Sequence, residues 1–305
     1  MSDGIWLTVS EASSPGFAIT VCAPRWLRIA AKERALLWAR ICNSYCGYDV
    51  LRGSSAAPIG VIPPIRFELA HAFAGLSEEA KMAAWARHFA EALAASSASP
   101  LENGEWLIAP VSNYEWYENA TVRQWADVVS HKACEYVSWD HCVVPPLPLR
   151  PLSHEEDGRV KAWRKLARSG DLPPLLLLWV SGLCACVVLD GHDRLLAASL
   201  EGAHVQALVL SRGREVRGRP EEQEMISNVV ATALEDSGDV QKAFQDHRKF
   251  TTGKANRMLL DAYVPMRILD STYARTLEGG YSRWSDEVRQ EAARQGLDAS
   301  SLLYD

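Results

Sequence analysis

Short apolar blocks separated by turn residues open the chain. Ile5–Val9 and Phe17–Cys22 read as β-strands set apart by the Ser13-Ser14-Pro15-Gly16 turn. From Trp26 to about Cys46, the spacing of Ile29, Leu36, Leu37 and Ile41 predicts a helix. Ser77 followed by Glu78 and Glu79 has the form of an N-cap with acids in the first turn, so a second helix is expected to run to about Ala95. A loop follows from Ser96 to Gly104. Val122, Trp125, Val129 and Tyr136 fall near one helical face and predict a third helix over Thr121–Val137.

The pattern changes at Pro145-Pro146-Leu147-Pro148. Ser153-His154-Glu155-Glu156 has the spacing of a capping box, in which Ser and Glu satisfy two orphan backbone donors reciprocally. The helix it opens is expected to reach Arg168 and stop at Gly170. Pro174–Val180 and Cys184–Leu189 are apolar runs around a Ser181-Gly182 turn and read as buried strands. Asp190-Gly191 then leads into a helix over 192–201 closed by Gly202, and Val205–Leu210 is the next strand. Beyond Ser211 lies a basic loop with Arg212, Arg214, Arg217 and Arg219. Pro220 with Glu221, Glu222 and Glu224 starts another helix, and a final one covers about Tyr281–Gln295. The fold class is α+β or α/β. Its parts are an N-terminal α+β portion (1–142), a central module (143–211) and a mainly helical C-terminal portion (212–305).

Composition narrows the possibilities. With 48% hydrophobic and 23% charged residues the chain is of soluble, globular type. No apolar run approaches the ~20 residues of a membrane span. A net charge of −6 argues against nucleic acid as the main partner. Seven cysteines, an odd number, argue against a disulfide framework. Because Met1-Ser2-Asp3-Gly4 lacks the basic and apolar regions of a signal peptide, a cytoplasmic location is expected. Eleven tryptophans, most in the first half, suit either a core or a contact surface.

The candidate chemistry lies at Asp190-Gly191-His192-Asp193-Arg194. A strand turning straight into a helix exposes unpaired N–H groups and a positive dipole end. Gly191 permits close approach of a phosphate, Arg194 can fork onto its oxygens, His192 can donate or exchange a proton, and Asp190 can cap the helix or hold a divalent cation. Each also has a purely structural reading, with Arg194 paired to Asp190 or Glu201 and Gly191 present only for the turn. The group His131, Cys134, His141 and Cys142 lacks a standard zinc spacing, and no metal site is expected. Thr251-Thr252-Gly253-Lys254 lacks the upstream glycine of a phosphate loop.

The strings L-S-H-E-E (152–156), L-P-P-L-L-L-L (172–178) and V-V-L-D-G-H-D-R-L-L-A-A (187–198), followed by V-Q-A-L-V-L (205–210), resemble the ParB/sulfiredoxin-like superfamily over residues 143–211. Sulfiredoxins carry a catalytic cysteine in G-C-H-R where this chain has His192. Chromosome-partitioning members carry G-E-R-R and a further arginine-rich box, which is absent here. The D-G-H-H-R of the free-serine-kinase branch is the nearer variant, with Asp193 standing in place of its second histidine. That resemblance implies a nucleotide, ATP or ADP with Mg²⁺, whose phosphates sit on Asp190, Gly191, His192 and Arg194. It also implies phosphoryl transfer to a small hydroxylated substrate, with Glu155 as base (Glu156 the near alternative) and His192 catalytic. A second reading stays open, in which the module is a scaffold and the protein is a non-enzymatic binder of another protein, of immunity or antitoxin type. This second reading predicts an exposed aromatic patch away from the 190–194 turn.

Overall fold

The structure, a computed structural model, describes residues 4–12, 16–22, 25–42, 47–111, 132–138, 146–216, 220–235, 266–269 and 271–304. The chain divides into two compact units, Met1–Arg212 with Ser271–Asp305, and Gly213–Asp270.

The first unit holds two mixed sheets. One contains β1 (Ile5–Val9), β6 (Gly104–Pro110), β8 (Leu147–Pro148), β9 (Leu175–Val180), β10 (Ala185–Asp190) and β11 (Ala207–Val216), in the order β1-β6-β11-β9-β10-β8. β9 runs parallel to β11 and antiparallel to β10, and β10 is parallel to β8. Strands from the N-terminal stretch and from 147–216 therefore share a single sheet. β9 and β10 are buried along nearly their whole length, which is why they read as continuous apolar runs rather than alternating ones. Around this sheet lie α1 (Phe67–Ala74), α2 (Glu78–Ala94), α3 (Gly158–Ser169) and α4 (His192–Glu201). α2 begins where Ser77 Oγ accepts from the Ala80 amide, and α4 spans 192–201 and ends at Gly202 in the left-handed region, both as expected.

The second sheet is β13 (Arg275–Thr276), β2 (Phe17–Cys22), β3 (Trp26–Ala31), β4 (Arg34–Cys42), β5 (Gly47–Arg52) and β7 (Cys134–Ser138), in that order. Here the expected helix from Trp26 to Cys46 is overturned. The segment is a hairpin, β3 to β4, closed by Lys32-Glu33, both at positive φ (48° and 67°). Two positive φ values in a two-residue loop match the twist of the flanking strands. Ile29 and Leu37, which suggested one helical face, lie opposite one another across the ladder. Residues 43–46 lie outside the described residues. The expected helix over 121–137 is likewise corrected at its end, since Cys134–Ser138 pairs antiparallel with β5; 121–131 lie outside the described residues, as do His131, His141, Cys142, Arg217, Arg219 and Thr251–Lys254.

One face of this sheet is closed by α6 (Gly280–Gln295) and α7 (Ser300–Leu303). Their Trp284, Val288 and Leu302 form a core with Trp26, Trp38 and Leu51 of the strands. Glu287 accepts from Arg28 Nε (2.6 Å) and Trp38 Nε1 (3.0 Å), and Glu291 accepts from the Ser54 amide (2.6 Å).

In the second unit, the end of β11 pairs antiparallel with β12 (Met266–Leu269) through Gly213↔Leu269 to Val216↔Met266. The unit also contains α5 (Pro220–Glu235), which starts at the expected proline. Arg212 and Arg214, expected on a basic loop, lie on β11 instead, because the strand continues six residues past Leu210.

The β3–β4 turn yields a direct test. Non-glycine residues at positive φ carry roughly 1 kcal/mol of strain each. Lys32→Asn with Glu33→Gly is therefore expected to raise stability by about 1 kcal/mol in urea unfolding. No gain would mean that side-chain contacts hold the turn.

Candidate functional site

The turn between β10 and α4 brings Asp190, Gly191, His192 and Arg194 together as the sequence suggested. Their side chains, however, serve the interior. Arg194 is only 1% exposed, and its Nη2 donates to the Asp190 carboxylate (2.8 Å) and to the Pro174 carbonyl (3.0 Å). Its guanidinium lies over the Trp163 ring, 5.6 Å from the centroid. Arg194 Nε has no acceptor among the described residues. Glu201, the alternative partner, is taken by Arg164 and Arg168 of α3. Gly191 sits at φ 107°, and a Cβ there would meet Leu175 Cδ2 at 2.7 Å and Arg194 Nη2 at 2.9 Å. A side chain at this position would thus collide with the protein's own side chains.

His192 is 3% exposed, and its Nε2 accepts the Leu149 amide at 3.1 Å, which fixes the Nδ1–H tautomer. Burial, reinforced by the Arg150 and Arg194 charges against the pull of Asp193, holds the imidazole down at about 3. The ring faces the backbone, whereas Glu155 stands exposed in the loop before α3.

That loop also departs from expectation. The capping box of Ser153 and Glu156 does not form. α3 starts at Gly158, capped by Asp157, whose side chain accepts from the Arg159 amide, and it ends at Gly170 as expected. The Ser153 hydroxyl donates instead to Asp193 Oδ1 (2.7 Å), while Glu156 pairs with Lys161. Asp193 also receives Arg150 Nη2 (2.6 Å) and lies 3.3 Å from Arg159 Nε. Burial opposes its ionisation, yet the Ser153 and Arg150 hydrogen bonds and the Arg150 and Arg159 charges hold its carboxyl below the usual range. Arg150, Arg159 and Trp163 were not singled out from sequence, since only tertiary packing joins them to the turn.

In this arrangement Arg194 Nη2 is engaged within the protein, and the first turn of α4 carries a paired carboxylate. An approaching phosphate would meet Asp193 as a like charge.

A different site is open. A cleft of about 540 Å³ lies at the β7 side of the second sheet. It is lined by Arg40 and Cys42 of β4, Asp49 of β5, Tyr136 of β7, and Ser301 and Tyr304. Arg40 Nη1 donates to the Ser301 carbonyl (3.2 Å) and to Cys42 Sγ (3.4 Å), and the Cys42 thiol donates to Asp49 Oδ2 (3.3 Å). Burial and that hydrogen bond push the thiol up, so Cys42 is not a ready nucleophile. Tyr136 is 45% and Tyr304 66% exposed. Tyr136 lies across Gly47, where a Cβ would run into its ring and the Val137 carbonyl.

Among the described residues, no helix is long and apolar enough to cross a membrane. No family model, no curated protein and no solved structure matches this chain.

Proposed function

We propose that this chain is a non-enzymatic, protein-binding factor, with the module of residues 143–211 acting as scaffold and the Tyr136–Tyr304 cleft as the docking surface. The observation that carries this reading is the pairing of two exposed tyrosines with Arg40 around one cleft. Single exposed aromatics are ordinary. Tyr and Arg clustered in a concavity are the residue types that anchor interfaces. A cleft of this volume has room for a partner side chain with an apolar body, and the Arg40–Asp49 pair in its lining (3.8 Å) leaves little net charge to select an ionic ligand. The aromatic patch belongs to the second sheet, whereas the 190–194 turn follows a strand of the first. The resemblance to the ParB/sulfiredoxin-like superfamily then concerns the module's architecture rather than ATP or ADP, Mg²⁺ and phosphoryl transfer. The described cysteines are all free thiols, which suits action in a reducing cytoplasm.

The test places a photo-crosslinking residue at position 136 or 304, with Leu200, exposed on α4, as the control position. A discrete adduct from 136 and 304 but not from 200 is expected. The purified partner should then bind roughly 10- to 100-fold more weakly to Tyr304→Ala. Calorimetry with ATP, ADP and Mg²⁺ is expected to show no binding. Micromolar nucleotide affinity, or partner binding indifferent to Tyr136, Tyr304 and Arg40, would overturn the reading.

A further inference from the structure

We propose that Asp193 is the built-in occupant of an anion niche, and that removing its carboxylate opens the niche to inorganic phosphate. The inference goes beyond the protein-binding reading and does not depend on the cleft. Three groups from the single stretch 150–159 converge on this one side chain, about 40 residues further along: Arg150 Nη2 donates at 2.6 Å, Ser153 Oγ donates at 2.7 Å, and Arg159 Nε forms an ion pair at 3.3 Å. Arg150 and Asp193 side chains are each 12% exposed, so the pair is largely out of water, while Arg159 is 42% exposed and borders solvent.

Two arginines and a hydroxyl around one point form the constellation that holds a phosphate or carboxylate by charge-assisted hydrogen bonds. A buried carboxylate is costly unless it is paired, and here Oδ1 accepts two hydrogen bonds while Oδ2 lies in ion-pair contact with Arg159. The niche is therefore shaped for a negative group, and the chain supplies that group itself. Asp193 also lies in the first turn of α4, where a negative charge is favoured. With the carboxylate removed, Arg150 keeps the Pro151 carbonyl and the Ser153 hydroxyl as neutral partners but its charge is unbalanced, and a mobile anion entering past Arg159 would restore the balance.

Thermal unfolding of the full chain decides the matter. Wild type, Asp193→Ala and Asp193→Ala/Arg150→Ala are compared in phosphate and in chloride at equal ionic strength. Phosphate stabilises folded proteins generally by exclusion from their surfaces, so the wild-type response sets the baseline. Asp193→Ala is expected to gain roughly 5 °C more than wild type at saturating phosphate, and the double variant to fall back to the baseline. Should Asp193→Ala fail to fold, Asp193→Asn keeps the shape without the charge, and ³¹P line broadening reads phosphate binding directly. A folded Asp193 variant that responds no more than wild type and broadens no ³¹P signal would overturn the proposal. So would a gain that persists without Arg150, since it would place the anion elsewhere.

Discussion

Arg194→Ala is expected to cost about 3–5 kcal/mol of stability, measured by equilibrium unfolding in guanidinium chloride. The substitution takes away more than a charge. It leaves the Asp190 carboxylate without its 2.8 Å partner and the Pro174 carbonyl without its donor. It also opens a void beside Trp163, whose side chain is itself buried. Breaking a buried pair from one side costs more than replacing both members. Arg194→Met with Asp190→Asn is accordingly expected to recover a good part of the loss. An Arg194 engaged mainly with a ligand would behave the other way round. Its alanine variant would lose less than about 1 kcal/mol of stability and 10- to 100-fold in nucleotide affinity. The two outcomes separate the interior role from the phosphate-binding one without knowledge of a substrate.

The second large effect is acid lability centred on His192. Its imidazole titrates near 6.5 when the chain is unfolded and at about 3 when folded. Between those values the unfolded chain binds a proton that the folded chain refuses, so stability rises with pH across this window. The contribution is complete above about 6.5 and is lost progressively as pH falls towards 3. From pH 7 to pH 4 the loss is about 3 kcal/mol. His192→Gln keeps an acceptor for the Leu149 amide and has nothing to titrate, so its stability should be flatter over the same range. Asp193 adds a separate loss only at lower pH, because its carboxyl is held below the usual range and must be protonated there. Parallel pH profiles for wild type and His192→Gln would show that another group governs the acid limb.

What could be read from the residues follows from how local each decision is. β9, β10, α4 and Gly202 were legible because continuous apolar runs are bounded by Pro, Ser-Gly and Gly, and local chemistry there agrees with the fold. The β3–β4 hairpin was not, because Lys32-Glu33 is poor turn chemistry and its positive φ values are imposed by the pairing of the strands. β7 was missed for a related reason. Its ladder partner is β5, which is remote in sequence (Leu51↔Cys134). At the site, the turn brings Asp190, Gly191, His192 and Arg194 together, and the Arg194–Asp190 pair is one of the two partnerships the residues offered, but the residues alone did not choose between them. An arginine four residues after an aspartate can clamp a phosphate or lock a turn, and only burial distinguishes the two. Ser153 illustrates the same limit: its local cap was outcompeted by Asp193, 40 residues away.

The grip of α6 on the second sheet has a consequence for how the chain comes off the ribosome. Arg28 meets Glu287 across 259 residues, and the Leu27 carbonyl meets the Trp284 indole across 257. At about 5–20 residues per second, the β3–β4 hairpin waits on the order of 10–50 s before its covering helix has been synthesised. During that interval Trp26 and Trp38 have no α6 to cover them, and one flank of the young sheet is sticky. Nascent chains stalled before residue 280 should therefore be the ones that recruit holdases and clump. A supply in trans of the last few dozen residues, as a separate peptide, should quiet them.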